Sequence, residues 1–498
     1  MFLLKVVPLD TMMVLNPTHF PARKSVQMNT TKIFPSLVGS FQAKIKQFLC
    51  RFAQNGLDAL SNLFKPGQLE DLIKAHSPKY RNRIYSPLTT VGLFLEQVLS
   101  ADHSCQDTVA HALSNRVAQD LSESSLNTGP YCKARKRLSL TLLQAISKTL
   151  ADNLLQAQPN AWRWRERDIK IVDGVTVLMP DTALNQATYP QSKQQKDGLG
   201  FPIMRIVAIM SLSCGTVLEW MQGACCGKLT GETSMLRQLD ASLNPGDILL
   251  MDRCFTGYFA VARQIAKGVD FVSRQHQKRK TDFDRGRRLG KRDHIAIWHR
   301  PVCPQWMTPE DYEKVPVTLE VRETRVGDWT LITSMKDEKY VSPLQLNELY
   351  CMRWHIELDL RAIKSVLQMD MLRCKTPDMV VKEVAAHFLG YNLVRSVMAQ
   401  AANNVNCMPR ELSFKAALQQ VRAFAEQLCC GINDRIKLLC DVLIRSVGKK
   451  KLPHRPGRVE PRAVKRRPKG HVFLTQPRAV LKAQLQAQRD LKMADVFA

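Results

Sequence analysis

Apolar residues recur at three- and four-residue steps from about residue 37 to residue 160. Segments such as Ser40–Phe52, Thr89–Leu99 and Ser139–Leu155 show the spacing clearly, and it predicts an all-α N-terminal region. The period changes near Asp168. Asp168–Met179 alternates in the manner of a strand, and Pro202–Leu212 and Thr216–Gln222 read as two more strands. Thr233–Leu243 has helical spacing. Asn244-Pro245-Gly246 is a turn signal, followed by a buried strand over Asp247–Met251, a helix over Tyr258–Lys267 and a strand over Val269–Ser273. Short strand-like pieces follow at Val317–Arg322 and Trp329–Met335. The pattern then predicts one long helix from Pro343 to Gln368, and further helices near Asp378–Asn403 and Arg410–Val447.

Three strands, a helix, a strand, a helix and a strand describe a mixed sheet in the order of a ribonuclease-H-like core. The expected class is α+β. Residues 1–36 carry no pattern, 37–160 form a helical domain suited to DNA binding, and 165–405 form the mixed core with a β-rich insertion at about 275–335. Residues 406–447 add C-terminal helices, and 448–498 form a basic tail.

Charge narrows the partners. Seventy-two Lys and Arg stand against 45 Asp and Glu, a net +27. Such a surface attracts polyanions, with nucleic acid the commonest; an anionic membrane surface or ribosomal RNA also fits. Residues 274–300 hold ten Lys or Arg and three Asp or Glu, and residues 449–469 hold ten Lys or Arg, one Glu and four Pro. The second of these stretches buries little apolar surface and reads as an arm that orders on DNA. The basic run Tyr131–Leu138 could line a DNA-facing helix or a solvated one. The 14 cysteines show no zinc spacing and no secreted framework, as expected of reduced thiols in cytosol. No apolar stretch reaches about 18 residues and no leader pattern opens the chain, so the expectation is a soluble cytoplasmic protein without a membrane partner.

Three acids stand out. Asp173 interrupts the β-branched run Ile171-Val172-Asp173-Gly174-Val175, and a buried carboxylate there is costly unless paired or bound to metal. Gly174 beside it would admit a phosphate backbone. Asp252 ends the apolar run Ile248–Met251. In the helix Pro343–Gln368, Tyr350, Arg353, Glu357 and Lys364 fall within roughly 60° of one face at 100° per residue, with Arg361 beside them. Met352, Ile356 and Ile363 occupy the other side. One acid among bases and a tyrosine suits a metal ion and a phosphate strand; a solvated, salt-bridged helix face is the alternative.

The spacing Tyr350-x2-Arg353-x3-Glu357-x6-Lys364 resembles the Tyr-Arg-Glu-Lys signature of the insertion-sequence-four family of DDE transposases. Asp173-Gly174-Val175-Thr176, Met179–Thr182, Gly198–Ile203, Leu250–Phe255, Lys375–Met379 and Tyr391–Arg395 are similar to family segments in the same order. Val175, where relatives often have Thr, and Cys254 are minor departures. The resemblance implies a catalytic core that binds two Mg²⁺ or Mn²⁺ through Asp173, Asp252 and Glu357. It implies excision of an insertion sequence by hydrolysis and then by attack of the freed 3′-hydroxyl, hairpin opening and joining to target DNA. It further implies contacts from Arg353 and Lys364 to phosphates, with Tyr350 positioning the strand; Arg361, beside them on the helix, is a further phosphate contact by its charge. A Trp in the β-insertion would receive a flipped base, Trp298 first and Trp306 second. The partners implied are the terminal inverted repeats and target DNA, bound by a homodimer. A copy that binds DNA ends without cutting and a structure-specific nuclease are the competing expectations.

Overall fold

The computed structural model describes residues 64–497, apart from residue 66 and the stretches 81–83, 119–120, 228–229, 240–241, 431–432 and 454–473. The expectations for residues 1–36, for Ser40–Phe52 and for most of the basic arm lie outside the described residues.

Among the described residues, five helices precede the sheet: α1 (Gln68–His76), α2 (Pro87–Leu99), α3 (Cys105–Val117), α4 (Gly129–Arg137) and α5 (Leu140–Ala157). Serine caps start three of them. Ser86, Ser104 and Ser139 each accept a backbone N–H from three residues on, satisfying donors that a helix start leaves unpaired.

The strands are β1 (Ile169–Leu178), β2 (Ile203–Ser211), β3 (Val217–Ala224), β4 (Ile248–Met251), β5 (Asp270–Arg274), β6 (Arg287–Gly290), β7 (Asp293–His299), β8 (Thr318–Val326) and β9 (Trp329–Thr333). They form one sheet in the order β3-β2-β1-β4-β5-β9-β8-β7-β6. β1 is antiparallel to β2 and parallel to β4, and β4 is parallel to β5. β5 then pairs antiparallel with β9. The region expected as an insertion therefore extends the same sheet through β6–β9. β6 and β7 lie inside the charged stretch, where no strand was predicted. The helices beside the sheet are α6 (Ala183–Thr188), α7 (Glu232–Leu236), α8 (Tyr258–Ala266) and α9 (Pro309–Glu313). α7 is much shorter than the helix expected over Thr233–Leu243.

Helices α10 (Pro343–Cys351), α11 (Trp354–Arg361), α12 (Pro377–Asn404), α13 (Phe414–Cys430), α14 (Asn433–Gly448) and α15 (Arg478–Phe497) complete the chain. The end of the expected tail is thus helical. The expected single helix over Pro343–Gln368 is interrupted, and the backbone shows how. Met352, Arg353, His355 and Ile356 each donate to the carbonyl three residues back, a tight 3₁₀-like turn. Ala362–Val366 is a π turn, and Leu367 N–H bonds to Ala362 O, five residues back.

Two cores sandwich the sheet. Ile171, Val175 and Val177 of β1 point into the core shared with α5, α11 and α12, whereas Val172 points into the core shared with α7 and α8. Strand alternation places Asp173 on the α11 side and Gly174 on the α7 side. The N-terminal helices share the first core rather than closing their own. They pack around α12, which is buried nearly all round. Asn392 ties α12 to the sheet: its Oδ1 accepts the Val217 N–H at 2.8 Å and its Nδ2 donates to Val217 O at 2.8 Å and to Ser147 Oγ at 3.1 Å. The amide thereby satisfies both polar groups of an edge residue in a place water does not reach.

Candidate active site

The three acids come from a strand middle, a strand end and a helix. Asp173 lies where β1 outlasts its neighbour: β4 pairs with β1 only over Ile169–Ile171, ends at Met251, and leaves Asp252 as the next residue. Parallel pairing puts Leu250 beside Ile171, so Asp252 follows β4 at the level where β1 carries Asp173. Glu357 enters from α11, which the buried Ile356 and Leu360 hold against the β1 side of the core.

Arg353 joins two of these acids. Its Nη2 donates to Glu357 Oε1 at 2.9 Å, and its Nη1 lies 3.5 Å from Asp173 Oδ2. The tight turn that breaks the helix carries Arg353 and still leaves it four residues before Glu357, within reach. The cation between Asp173 and Glu357 is thus a guanidinium. Among the described residues, no three His, Cys, Asp or Glu side chains meet closely enough to ligate one ion. The donor set nevertheless suits a hard divalent cation: it consists of carboxylates, and two of them already converge on one positive centre.

Burial holds the Asp173 carboxyl up, to about 6. The Gly174 N–H, which donates to Oδ1 at 2.8 Å, and Arg353 oppose the shift, while Glu232 and Asp252 reinforce it. The folded chain keeps a proton there to about pH 6, whereas an unfolded Asp releases it near pH 4. Stability conferred by that proton falls as pH rises through this window. Asp173→Asn is therefore expected to stabilise the metal-free chain by about 1–3 kcal/mol at pH 7.5 and to change nothing at or below pH 4. Urea unfolding in EDTA at the two pH values checks this; a gain that is equal at both would refute the stated cause.

The other expected contacts are placed unevenly. Tyr350 is buried, edge-on to Trp329 at 5.8 Å, and burial raises its hydroxyl pKa. Arg361 is exposed at the end of α11. Lys364 rides on the π turn, half-buried, and burial lowers its ammonium pKa. The break and the π turn mean that these residues do not share one continuous α-helical face.

Trp298 requires a correction. It is 2% exposed, its indole N–H donates to Glu323 Oε1 at 2.8 Å, and the Arg279 guanidinium lies 3.7 Å from its ring centroid. Its faces are taken, and no base can stack on it as placed. Neighbours on a strand face opposite sides, and on β7 Ile297 takes the outer one, at 57% exposure. Trp306, the second candidate, is 37% exposed, with Arg237 over its ring at 3.8 Å and Phe259 edge-on at 5.8 Å.

The space beside Gly174 also differs from expectation. It is filled by the Glu232 side chain, not left open to a backbone. No sequence signal singled out Glu232: alone between Gly231 and Thr233 it reads as an acid in the first turn of a helix.

Two of the acids lie at the open end of the mixed sheet, and the third lies on the helix behind it. Residues 164–393 match the family described as "Transposase DDE domain", and the match contains all three acids. The chain is 28% identical over 344 residues, 68% of its own length and 76% of the relative's, to "Transposase InsG for insertion sequence element IS4" of Escherichia coli strain K12. It is 33% identical over 72 residues, 14% of this chain and 19% of the relative, to "Putative transposase InsL for insertion sequence element IS186A" of the same organism. Over residues 164–393 the chain carries a transposase DDE domain, and it is similar to a transposase of the insertion-sequence-four group. A cryo-EM structure of the piggyBac transposase synaptic complex with hairpin DNA aligns over 83% of this chain and 87% of that one, at 9% identity and a TM-score of 0.40; that likeness carries no weight for the site. No helix among the described residues is long and apolar enough to cross a membrane.

Proposed function

We propose that this transposase cleaves the ends of its insertion sequence and joins them to target DNA, with Asp173, Asp252 and Glu357 as catalytic acids. The observation that carries the reading is the convergence of Asp173 and Glu357 on the Arg353 guanidinium, beside the strand end that bears Asp252. The strand order β3-β2-β1-β4-β5 agrees with a ribonuclease-H-like core.

The three carboxylates would hold two Mg²⁺ or Mn²⁺ ions. Such ions activate an attacking oxygen and relieve charge on the leaving one. The side chains do the rest. Arg353 exchanges its carboxylate partners for a DNA phosphate, and Lys364 and Arg361 neutralise neighbouring phosphates. Tyr350, buried against Trp329, acts on the strand by fixing Arg353, whose guanidinium lies 5.9 Å from its ring centroid. Trp306 takes over from Trp298 as the surface on which an extruded base stacks. The basic face of α4 and the basic arm hold duplex DNA through its phosphates. Two element ends call for two copies of the chain, assembled as a homodimer on DNA. Its chromosomal substrate puts the protein in the bacterial cytoplasm, at the nucleoid.

The test is a supercoiled plasmid carrying the element's own inverted repeats. With Mg²⁺ or Mn²⁺ it is expected to be nicked and then linearised at those repeats, and in EDTA to stay supercoiled. Retention of the plasmid with no nick under any divalent ion would instead support an end-binding protein that does not cut. Cutting of branched DNA that lacks the repeats would support a structure-specific nuclease.

A further inference from the structure

Glu232 has no part in the triad, yet its side chain lies against the residue that follows Asp173. It opens α7, on the face of the sheet opposite α11. A Cβ built at Gly174 would fall 2.5 Å from Glu232 Oε1, 2.6 Å from its Cδ and 3.0 Å from its Cγ. Gly174 does not have a positive φ, so the glycine provides room, not conformational freedom. The other oxygen, Oε2, lies 3.8 Å from Cys254 Sγ. One carboxylate thus rests against the residue after Asp173 and against the second residue after Asp252. It can do so because β4 has ended: beyond Met251 the sheet is open on that side of β1, and a side chain from the α7 face reaches the gap.

An acid here could simply serve Arg205, but the geometry argues against that. Arg205 Nε is 3.8 Å from Glu232 Oε1, with no hydrogen bond closed; that Nε has no hydrogen-bond partner, and Arg205 Nη1 donates to Thr230 O at 2.9 Å. Among the described residues, the hydrogen-bond contact to Glu232 comes from the Cys254 thiol, a weak donor. The carboxylate is part-buried beside two other acids, with the thiol as its weak donor and Arg205 at ion-pair distance.

We propose that Glu232 is a fourth carboxylate of the divalent-cation site, serving the Asp173–Asp252 side while Glu357 serves the α11 side. The inference rests on the reading of Asp173, Asp252 and Glu357 as metal-holding acids. Glu232 binds the ion directly or through one of its waters, as carboxylates around hard, reluctantly dehydrated ions do.

The experiment is a Mn²⁺ titration of the full chain without DNA, reading free Mn²⁺ by electron paramagnetic resonance. Circular dichroism melts of each variant establish that it is folded. Glu232→Gln, which preserves shape, is expected to weaken Mn²⁺ binding about 10-fold or more. Gly174→Ala, which keeps the charge but displaces the carboxylate, should weaken it similarly, and so should Asp252→Asn. Glu232→Asp, one methylene short, provides the measurement if Glu232→Gln does not fold, with a loss again expected. Arg205→Gln should leave the affinity equal or tighter. Wild-type affinity in Glu232→Gln alongside a loss in Asp252→Asn overturns the inference and leaves the triad standing. A loss in Arg205→Gln matching that in Glu232→Gln overturns it too, because Glu232 would then act only through Arg205. Wild-type affinity in Asp252→Asn removes the underlying reading, and this inference with it.

Discussion

Asp252→Ala and Glu357→Gln are each expected to cut an end-bearing plasmid about 10³-fold more slowly than the parent chain, or worse, while retaining its DNA. Neither side chain helps hold the fold. Asp252 follows the last residue of β4 and caps a single 3₁₀ turn without a side-chain hydrogen bond. Glu357 is part-exposed, with its partner Arg353 still able to reach Asp173. The residues proposed to hold duplex DNA are basic ones on α4 and in 449–469, not these two acids, so binding should survive. Groups that act as one unit do not add, and the double variant should therefore be scarcely slower than either single one. Gel shift and nicking are measured on the same preparation. Normal cutting by either variant removes that acid from the mechanism, and loss of binding would show that it served the surface instead.

The second large effect is on stability. Arg322 is 0% exposed and donates to both oxygens of Asp293, at 2.8 and 2.6 Å, and to Val341 O at 2.8 Å. Asp293→Ala should lower unfolding stability by about 3–5 kcal/mol, because it leaves a guanidinium charge buried without its anion. Replacing both partners with apolar residues, Arg322→Met with Asp293→Leu, should recover most of the loss. Tryptophan fluorescence in urea reads both variants. A loss below about 1 kcal/mol for Asp293→Ala, the size of an ordinary surface change, would mean that water reaches Arg322. The same guanidinium ties β8 to the carbonyl just ahead of α10, so the damaged variant should also misplace Glu357 and cut poorly.

The central strands were legible because each buries one or both faces and shows it in side-chain pattern: β1, β2, β4 and β5 lie within a residue or two of expectation. Asp173 stands out in the sequence for the converse reason, since a carboxylate among Ile and Val is conspicuous. Other features were hidden by physics that acts across the fold. β6 carries exposed arginines at Arg287 and Arg288, and its pairing with β7, not its composition, makes it a strand. The Pro343–Gln368 segment has an unbroken helical period, yet one overwound and one underwound turn divide it; side-chain spacing alone does not report i−3 or i−5 bonding. Trp298 went to the interior because a strand's two faces cannot be told apart until its partner is known. Glu232 was invisible because its meaning depends on a glycine 58 residues away.

The unbroken run of nine strands has a mechanical corollary. Since β5 bonds to β4 on one edge and to β9 on the other, the cationic ribbon and the carboxylate-bearing half share a single twisted plate with no seam between them. A force applied at β6 is therefore passed to β4 and β1 through backbone hydrogen bonds, strand by strand, with no loop between to absorb it.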